Sequence, residues 1–181
     1  MKKLLVVTSS VRESRIADNI LKLAQAELAQ FPDFEVTVAD LKELTMPFFN
    51  APVSPSNEAF KATDANVIEW TRLVGESDAI LFLVAEYNYS FTAVLKNAVD
   101  WVFKEWNDKP VAFIGYGWVG GARAIAQFRG VMGSTIGAKA IESEANLRFM
   151  KEIDLEGSPT DQPAISTSIK ATLEELKLTL G

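Results

Sequence analysis

The sequence contains neither cysteine nor histidine among its 181 residues. Because cysteine is absent, the chain has no disulfide, no thiol nucleophile and no Cys-ligated zinc or ordinary iron–sulfur cluster. Because histidine is absent, a Ser-His-Asp triad is excluded, and so are the commonest transition-metal ligand and the usual general base near neutral pH. We therefore predict no metal site. Catalysis by carboxylates, lysines or hydroxyls stays open, as does chemistry carried by a cofactor.

Long apolar runs and an excess of positive charge are also missing. No apolar run approaches the roughly 20 residues that a membrane-spanning helix needs, and the basic start of the chain precedes only a short one, residues 4–7. Eighteen Lys and Arg against 24 Asp and Glu give a net charge of −6, which disfavours a general nucleic-acid surface. We expect a cytoplasmic protein with no membrane or nucleic-acid partner.

The length and the 48% hydrophobic composition favour one globular domain over residues 1–181. Apolar runs that predict strands alternate with segments whose apolar residues have helical spacing. The predicted strands are 4–7, 34–38, 79–84, 110–116 and 138–141, and the predicted helices are 16–28, 59–76, 91–106, 122–132 and 162–180. This alternation predicts an α/β fold with a parallel sheet covered on both faces. The helix 91–106 is apolar over much of its circumference, which suggests a subunit contact.

Three predicted loops follow the carboxyl ends of strands, where open α/β sheets bind ligands. The first, residues 8–15, reads TSSVRESR and leads into a helix, whose free N–H groups favour anions. It supplies donors suited to phosphate oxygens: the hydroxyls of Ser9, Ser10 and Ser14 and the guanidinium groups of Arg12 and Arg15. The alternative is a serine N-cap beside two solvated arginines.

The second and third loops suit a flat ring. Residues 85–90, AEYNYS, offer tyrosines to stack on a ring and an amide to meet its edge, although a simple turn would use the same residues. Residues 115–121, GYGWVGG, let a ring approach the backbone. They also contain G-x-G-x-x-G, and Glu142 follows 22 residues after Gly120, so a dinucleotide fingerprint is the alternative. Its place after the fourth strand, and not the first, counts against that alternative.

Together these segments resemble the NADPH-dependent FMN reductase family, which includes azoreductases, quinone reductases and chromate reductases. The run SSVRESR over residues 9–15 is similar to the family's Gly-Ser-x-Arg loop. The runs EYNYS over residues 86–90 and LKNAVDW over residues 95–101 match its central signature, and Lys109-Pro110 and Gly120–Arg123 follow in the same order. The chain departs from the pattern at Ser9, where Gly is usual, at Ala85, where Pro is usual, and at Thr92-Ala93, where Pro-Gly is common. The lost prolines leave the second loop less rigid.

The resemblance implies a flavodoxin-like three-layer sandwich with strand order 2-1-3-4-5 and one FMN-binding domain. It implies that Ser10, Arg12 and Arg15, with Ser9 in the same loop, hold the FMN phosphate. Glu86, Tyr87 and Asn88 would lie along the isoalloxazine, largely through backbone atoms, and Gly117 and Trp118 would border the ring. No side chain is needed as an obligatory acid or base, so the resemblance implies no catalytic residue.

The implied function is an FMN-dependent NAD(P)H oxidoreductase. Hydride would pass from NADPH or NADH to FMN and then to a small-molecule acceptor such as a quinone, azo compound, free flavin or metal oxyanion. The family usually forms oligomers, so a homodimer or homotetramer is expected. Three alternatives stay open: a non-catalytic electron carrier of the flavodoxin type, an NAD-binding Rossmann protein that uses residues 115–120, and a phosphate-ester binding domain without flavin.

Overall fold

Five parallel strands run through the centre of the computed structural model, which describes residues 1–134 and 136–181. The strands are β1 (Lys2–Thr8), β2 (Phe34–Asp40), β3 (Ala79–Ala85), β4 (Pro110–Gly117) and β5 (Lys139–Arg148). They lie in the order β2-β1-β3-β4-β5, and each neighbouring pair is parallel. The predicted α/β fold and strand order are therefore confirmed.

Helices cover both faces of this sheet. They are α1 (Ala17–Leu28), α2 (Ala65–Glu76), α3 (Ala93–Asp100), α4 (Ala122–Met132) and α5 (Gln162–Thr179). Successive residues of a strand point to opposite faces, so the side chains of β3 alternate between two cores. Phe82 packs in the core that holds α2, α3 and α4, whereas Leu81 packs in the core that holds α1 and α5. Because both faces are covered, β3 is apolar along its whole length.

The fifth strand is longer than predicted. The predicted strand covered residues 138–141, and its predicted end at residue 141 is wrong. The strand β5 continues to Arg148 after a register shift opposite residues 111–113 of β4. It is an edge strand, so polar residues alternate with the buried Ala145 and Leu147 and interrupt the apolar run. Glu142, expected at a strand end, therefore lies within β5 and is exposed.

The helix predicted over residues 59–76 begins later, at Ala65. Asp64 terminates the preceding loop because its carboxylate accepts hydrogen bonds from the N–H groups of Asn66 and Val67, at 2.9 and 3.2 Å. Phe60 lies outside the helix but still packs against the core. The helical spacing of Phe60 in the sequence therefore reflected burial of its side chain and not membership of the helix.

The helix predicted over residues 91–106 is also wrong in its extent. It ends at Asp100, and a separate turn of 3-10 helix follows at Lys104–Trp106. Trp106 is fully buried, with its ring centroid 6.0 Å from that of Trp70 and 6.3 Å from that of Phe82. Because the chain turns after Asp100, its surplus apolar side chains enter its own core. The apolar character of residues 91–106 therefore no longer supports a subunit contact, and oligomerisation stays a prediction.

A long connection between β2 and α2, residues 41–64, lies against α3. The indole N–H of Trp101 and the amide of Asn97 both donate to the carbonyl of Pro47, at 2.8 and 2.9 Å. The Asn97 oxygen accepts from the N–H of Phe49 at 2.8 Å. Asn97 and Trp101, which belong to the LKNAVDW run, therefore anchor this connection.

No helix in the described parts of the chain is long and apolar enough to cross a bilayer. The single-domain boundaries and the compartment stay predictions.

The turn from β4 to α4 requires glycine at residue 115. A Cβ on Gly115 would overlap the carbonyl oxygen of Gly120 and lie 2.7 Å from Cδ1 of Ile125. Gly121, at φ +72°, stands at the N-cap of α4, and a Cβ there would lie 2.8 Å from the Cα of Gly115. Close approach of the loop to the strand thus leaves no space for a side chain.

We expect Gly115→Ala to lower the free energy of unfolding by about 1–3 kcal/mol, because the added methyl overpacks this turn. Gly130→Ala is the matched control, since Gly130 lies within α4 and a Cβ there meets nothing within 4 Å. That change should instead raise stability by about 0.5–1 kcal/mol. Urea unfolding of both variants measures the difference, and equal stabilities would contradict the packing argument.

Candidate functional site

The carboxyl ends of β1, β3 and β4 open into one cleft of about 600 Å³. Its walls are drawn from the three loops at residues 8–15, 85–90 and 115–121, with further side chains from the segment after β5. The cleft lies beside the point at which the strand order reverses, where open parallel sheets bind ligands.

Eight of the nine predicted cofactor-binding residues line this cleft: Ser10, Arg12, Arg15, Glu86, Tyr87, Asn88, Gly117 and Trp118. The fold brings together positions far apart in sequence. For example, the hydroxyls of Ser10 and Tyr87, 77 positions apart, share a 2.7 Å hydrogen bond. The ninth residue, Ser9, is fully buried and lies outside the lining. The roles of these residues toward a cofactor stay predictions.

The first loop has the features of an anion site. Among the described residues, the main-chain N–H groups of residues 10–15 donate to no protein acceptor. Ile16 precedes α1 and provides no side-chain cap, so the serine N-cap considered for this loop does not form. Arg12 is exposed at the cleft and pairs with no carboxylate in the described residues. Uncapped N–H groups beside a free guanidinium suit a bound anion.

Arg15 is placed differently from Arg12, because all five of its N–H donors are already used. The guanidinium forms a two-pronged pair with the Asp40 carboxylate and a second with the Asp18 carboxylate. Its fifth hydrogen bond, 2.9 Å long, reaches the main-chain carbonyl of Ser10. Arg15 therefore ties the first loop to the end of β2, and it holds no donor in reserve for a ligand.

The pairing with Arg15 determines the ionisation of Asp40. Burial raises the pKa of this carboxyl, but the Arg15 guanidinium, the N–H of Lys42 and the hydroxyl of Thr8 together hold it below the ordinary aspartate value. The side chains are mostly buried, with 8% of Arg15 and 21% of Asp40 exposed. The ion pair is therefore better shielded from solvent than an ordinary surface pair.

Ser9 joins the first loop to the second from beneath. Its hydroxyl donates to the carbonyl of Leu83 at 2.8 Å and accepts from the N–H of Ala85 at 3.4 Å. The Thr92 hydroxyl donates to the Ser9 carbonyl at 2.7 Å and caps α3 at the N–H of Leu95. Two positions that depart from the family pattern, Ala85 and Thr92, thus both form hydrogen bonds with a third, Ser9. A proline at residue 85 would have no N–H to donate.

The second loop contains a two-residue turn. Tyr87 and Ser90 exchange main-chain hydrogen bonds of 2.8 and 3.0 Å, and Asn88 and Tyr89 between them have φ of +47° and +70°. Two central residues with positive φ define the I′ turn, which tyrosine tolerates poorly. The turn is held by α4, where the Gln127 amide donates to the Tyr89 carbonyl at 2.7 Å.

The Glu86 carboxylate is directed toward α4. It accepts from the main-chain N–H and the guanidinium of Arg123, each at 3.3 Å, and only 8% of the side chain is exposed. The Arg123 guanidinium also lies over the Tyr89 ring, 3.9 Å from its centroid. The main-chain N–H of Glu86 donates to the carbonyl of Tyr116 at 3.4 Å. Because the carboxylate and this N–H are both occupied, the main-chain carbonyl is the part of Glu86 that remains for a ligand.

The glycines of the third loop serve packing. Gly120 lies against Asn146 of β5, where a Cβ would come within 2.6 Å of the Asn146 Cβ, and the Asn146 amide donates to the Gly120 carbonyl at 3.1 Å. The strand order β2-β1-β3-β4-β5 also differs from that of the Rossmann fold. The dinucleotide fingerprint at residues 115–120 is therefore not supported by its structural context.

Eight lining residues are not among the nine that were predicted to bind the cofactor, and they include Tyr116, Arg123, Phe149 and Leu155. Tyr116 ends the predicted fourth strand, so its place at a carboxyl end was a usable signal. Arg123 belongs to the run at residues 120–123 that the family resemblance includes. Phe149 and Leu155 lie beyond the predicted end of the fifth strand, so the error in β5 concealed them. Phe149 contacts Trp118 edge to face, with ring centroids 5.6 Å apart.

Comparison with known proteins gives a consistent result. A family model described as NADPH-dependent FMN reductase matches residues 2–151. The NAD(P)H-dependent FMN reductase ntnL of a Nectria species is 28% identical over 178 residues, covering 96% of this chain and 89% of that protein. The NADPH:quinone oxidoreductase of Arabidopsis thaliana is 29% identical over 115 residues, covering 61% of this chain and 56% of that protein.

A solved structure shares the fold. FerB, described as a flavoenzyme NAD(P)H:(acceptor) oxidoreductase from Paracoccus denitrificans, superposes with a TM-score of 0.77 at 22% identity and covers 99% of both chains.

The Arg15–Asp40 pair predicts a pH-dependent stability. Because the pKa of Asp40 is lowered in the folded state, its stabilising contribution is complete above about pH 3.9 and is lost as the pH falls through the lowered value. We expect Asp40→Asn to lower the free energy of unfolding by roughly 1–3 kcal/mol at pH 7, with the difference shrinking below about pH 4.

Urea unfolding of both proteins at pH 7 and pH 3 measures this effect. Asp18→Asn is the matched control, because Asp18 pairs with the same guanidinium but has 56% of its side chain exposed. It should change stability by less than about 1 kcal/mol. A difference between wild type and Asp40→Asn that is the same at both pH values would contradict the role of the ionised pair.

Proposed function

Because the chain belongs to the NADPH-dependent FMN reductase family of oxidoreductases, we propose that its cleft binds FMN, takes reducing equivalents from NADH or NADPH, and reduces a planar acceptor of the quinone class. The observation that carries the proposal is the polarity of the cleft. Arg12 and the first loop, in which the N–H groups of residues 10–15 have no acceptor among the described residues, share the lining with the aromatic side chains of Trp118 and Phe149.

The donors in the cleft fit FMN. Its phosphate requires several N–H or O–H donors and a positive charge, which the first loop supplies through its backbone, Ser10 and Arg12. Its ring requires a flat space bordered by backbone, and Gly117 at φ +145° leaves the third loop without a side chain at that point. The volume of about 600 Å³ falls within the range of small-molecule sites.

The protein would position reactants, while the redox chemistry belongs to the cofactor. When bound, FMN supplies a ring that exchanges two electrons with a nicotinamide and with an acceptor. The first loop would hold the phosphate end, with Arg15 keeping the Ser10 carbonyl in place through its link to Asp40. The strained turn at Asn88 and Tyr89, braced by Gln127, would present its backbone to the ring edge.

The outer rim of the cleft supports an aromatic acceptor. Trp118 has 68% of its surface exposed and Leu155 has 54%, and the edge of Trp118 meets Phe149. Exposed apolar groups grouped around a cleft mark a site for an apolar partner. A planar quinone can stack on such a surface, whereas a small metal oxyanion gains little from it.

The decisive experiment is an anaerobic absorbance titration of the FMN-loaded protein with NADPH and, separately, NADH. We expect the flavin band to be bleached by about one equivalent of nicotinamide and restored by a benzoquinone. Azo dye, free flavin and chromate serve as comparison acceptors and should react more slowly. Bound flavin that neither nicotinamide bleaches would indicate an electron carrier, and failure to bind flavin would overturn the proposal.

Arg12 tests the phosphate assignment. We expect Arg12→Ala to weaken FMN binding by about 10- to 100-fold, because a charged donor to the phosphate is lost, with little change in stability. Arg72→Ala on α2 is the control, since Arg72 is an exposed arginine that pairs with Glu69 and Glu76 away from the cleft. Flavin fluorescence quenching gives both affinities. Equal FMN affinity in wild type and Arg12→Ala would remove Arg12 from the site.

A further inference from the structure

The side chain of Tyr116 carries the polar group that the mechanism above does not use. Tyr116 lies at the carboxyl end of β4, lines the cleft and is only 4% exposed. In the described parts of the chain, its hydroxyl is the one fully buried side-chain oxygen or nitrogen that has no hydrogen-bond partner. A buried hydroxyl without a partner destabilises the folded protein, so each such group in a native structure requires an explanation.

The surroundings of this hydroxyl are polar. Burial raises the pKa of the Tyr116 phenol well above its ordinary value, and the neighbouring Tyr87 and Asp18 add to the rise. Arg15 and a weak hydrogen-bonding contact with the Ser10 hydroxyl, which falls short of regular hydrogen-bond geometry, oppose the rise only in part. The phenol is therefore protonated at every physiological pH and acts as a hydrogen-bond donor. Tyr116 therefore lies near the first loop, where the N–H groups of residues 10–15 meet no protein acceptor in the described part of the chain.

A second spare donor lies beside it. The hydroxyls of Ser10 and Tyr87 bond to each other, and either one can be the donor. Two hydroxyls hold two hydrogens, and their mutual bond uses one, so one O–H of this pair is left over. Tyr116 and the Ser10–Tyr87 pair therefore provide two O–H donors in the lining of the cleft. Arg12 adds a positive charge to the same lining.

We propose that the Tyr116 hydroxyl donates a hydrogen bond to the phosphate monoester group of the ligand and makes the cleft select phosphorylated flavin over its dephosphorylated form. This inference rests on the proposed function for the identity of the flavin. An anion is the fitting acceptor, because the Arg15 guanidinium is the nearby cation, the Asp18 carboxylate is already paired with that guanidinium, and the N–H groups of residues 10–15 have no protein acceptor in the described residues. The hydroxyl would then be retained at a cost to the stability of the ligand-free protein.

The test compares wild type with Tyr116→Phe, which keeps the buried ring and removes only the hydroxyl. After removal of bound flavin, affinities for FMN and riboflavin are measured by fluorescence quenching. We expect FMN affinity to fall about 10-fold or more and riboflavin affinity to change less than about 2-fold. Equal losses for both flavins, or no loss of FMN affinity, would overturn the proposal.

The stability of the flavin-free protein distinguishes a ligand-binding role of the hydroxyl from a structural role, because the two roles predict opposite changes when the hydroxyl is removed. Flavin-free Tyr116→Phe should be at least as stable as wild type, because the variant no longer buries an unpaired donor. Tyr87→Phe is the matched control: its hydroxyl is paired with Ser10, so its removal should lower stability. Flavin-free Tyr116→Phe that is less stable than wild type would show that the hydroxyl serves the fold.

A measurement on unmodified protein covers the case in which Tyr116→Phe does not fold. The chain has three tyrosines, so tyrosine labelled with carbon-13 at Cζ gives three signals, which Tyr87→Phe and Tyr89→Phe assign. The Tyr116 signal should shift with FMN and with inorganic phosphate, but not with riboflavin. A shift with FMN alone locates the phosphate source in the flavin, and no shift with either phosphate would contradict the proposal.

The two proposals fail in distinguishable ways. Wild type that binds neither FMN nor riboflavin contradicts the proposed function, and the phosphate titration then still tests Tyr116 as an anion donor. Wild type that binds FMN, with a Tyr116 signal and a Tyr116→Phe affinity that do not change, contradicts only the role of Tyr116.

Discussion

The buried hydrogen bonds around Ser9 hold the cleft together. One small side chain links the end of β1 to the end of β3, because its hydroxyl meets both the carbonyl of Leu83 and the N–H of Ala85. Thr92 adds a third bond from the start of α3. Polar groups that are buried away from water must be hydrogen-bonded, so these bonds allow few relative positions of the first and second loops. The walls of the cleft follow from that constraint.

The two arginines of the first loop differ in their contacts. Arg15 uses every donor on protein acceptors and fixes the first loop against β2, whereas Arg12 lies free at the cleft. The side chain that holds the loop in shape is thus distinct from the side chain that we propose to bind the ligand. Such separation lets a loop present its N–H groups to an anion without rearranging, which lowers the entropy lost on binding.

Much of the fold could be predicted because its signals are local. Continuous apolar runs marked the central strands, and helical spacing located α4 and α5 closely. The errors arose where tertiary contacts override local pattern. The polar alternation of an edge strand concealed most of β5, from residue 142 to residue 148. Trp106 lies in the core because the chain turns after α3, and helical periodicity gave no sign of that turn. Phe149 and Leu155 were missed for the same reason, since both follow the end of β5.

The sequence by itself determined the chemistry that is available. Without cysteine or histidine the chain must rely on a cofactor or on other groups, and the order of its three loops indicated the family and the edge of the sheet at which we propose that FMN binds. Only the tertiary structure decided which groups are free to act. Arg12 and Arg15 are the same residue type three positions apart, yet one is free and the other is fully paired. Hydrogen-bond partners such as Asp40, and the lack of one at Tyr116, depend on contacts between distant segments, which local sequence does not encode.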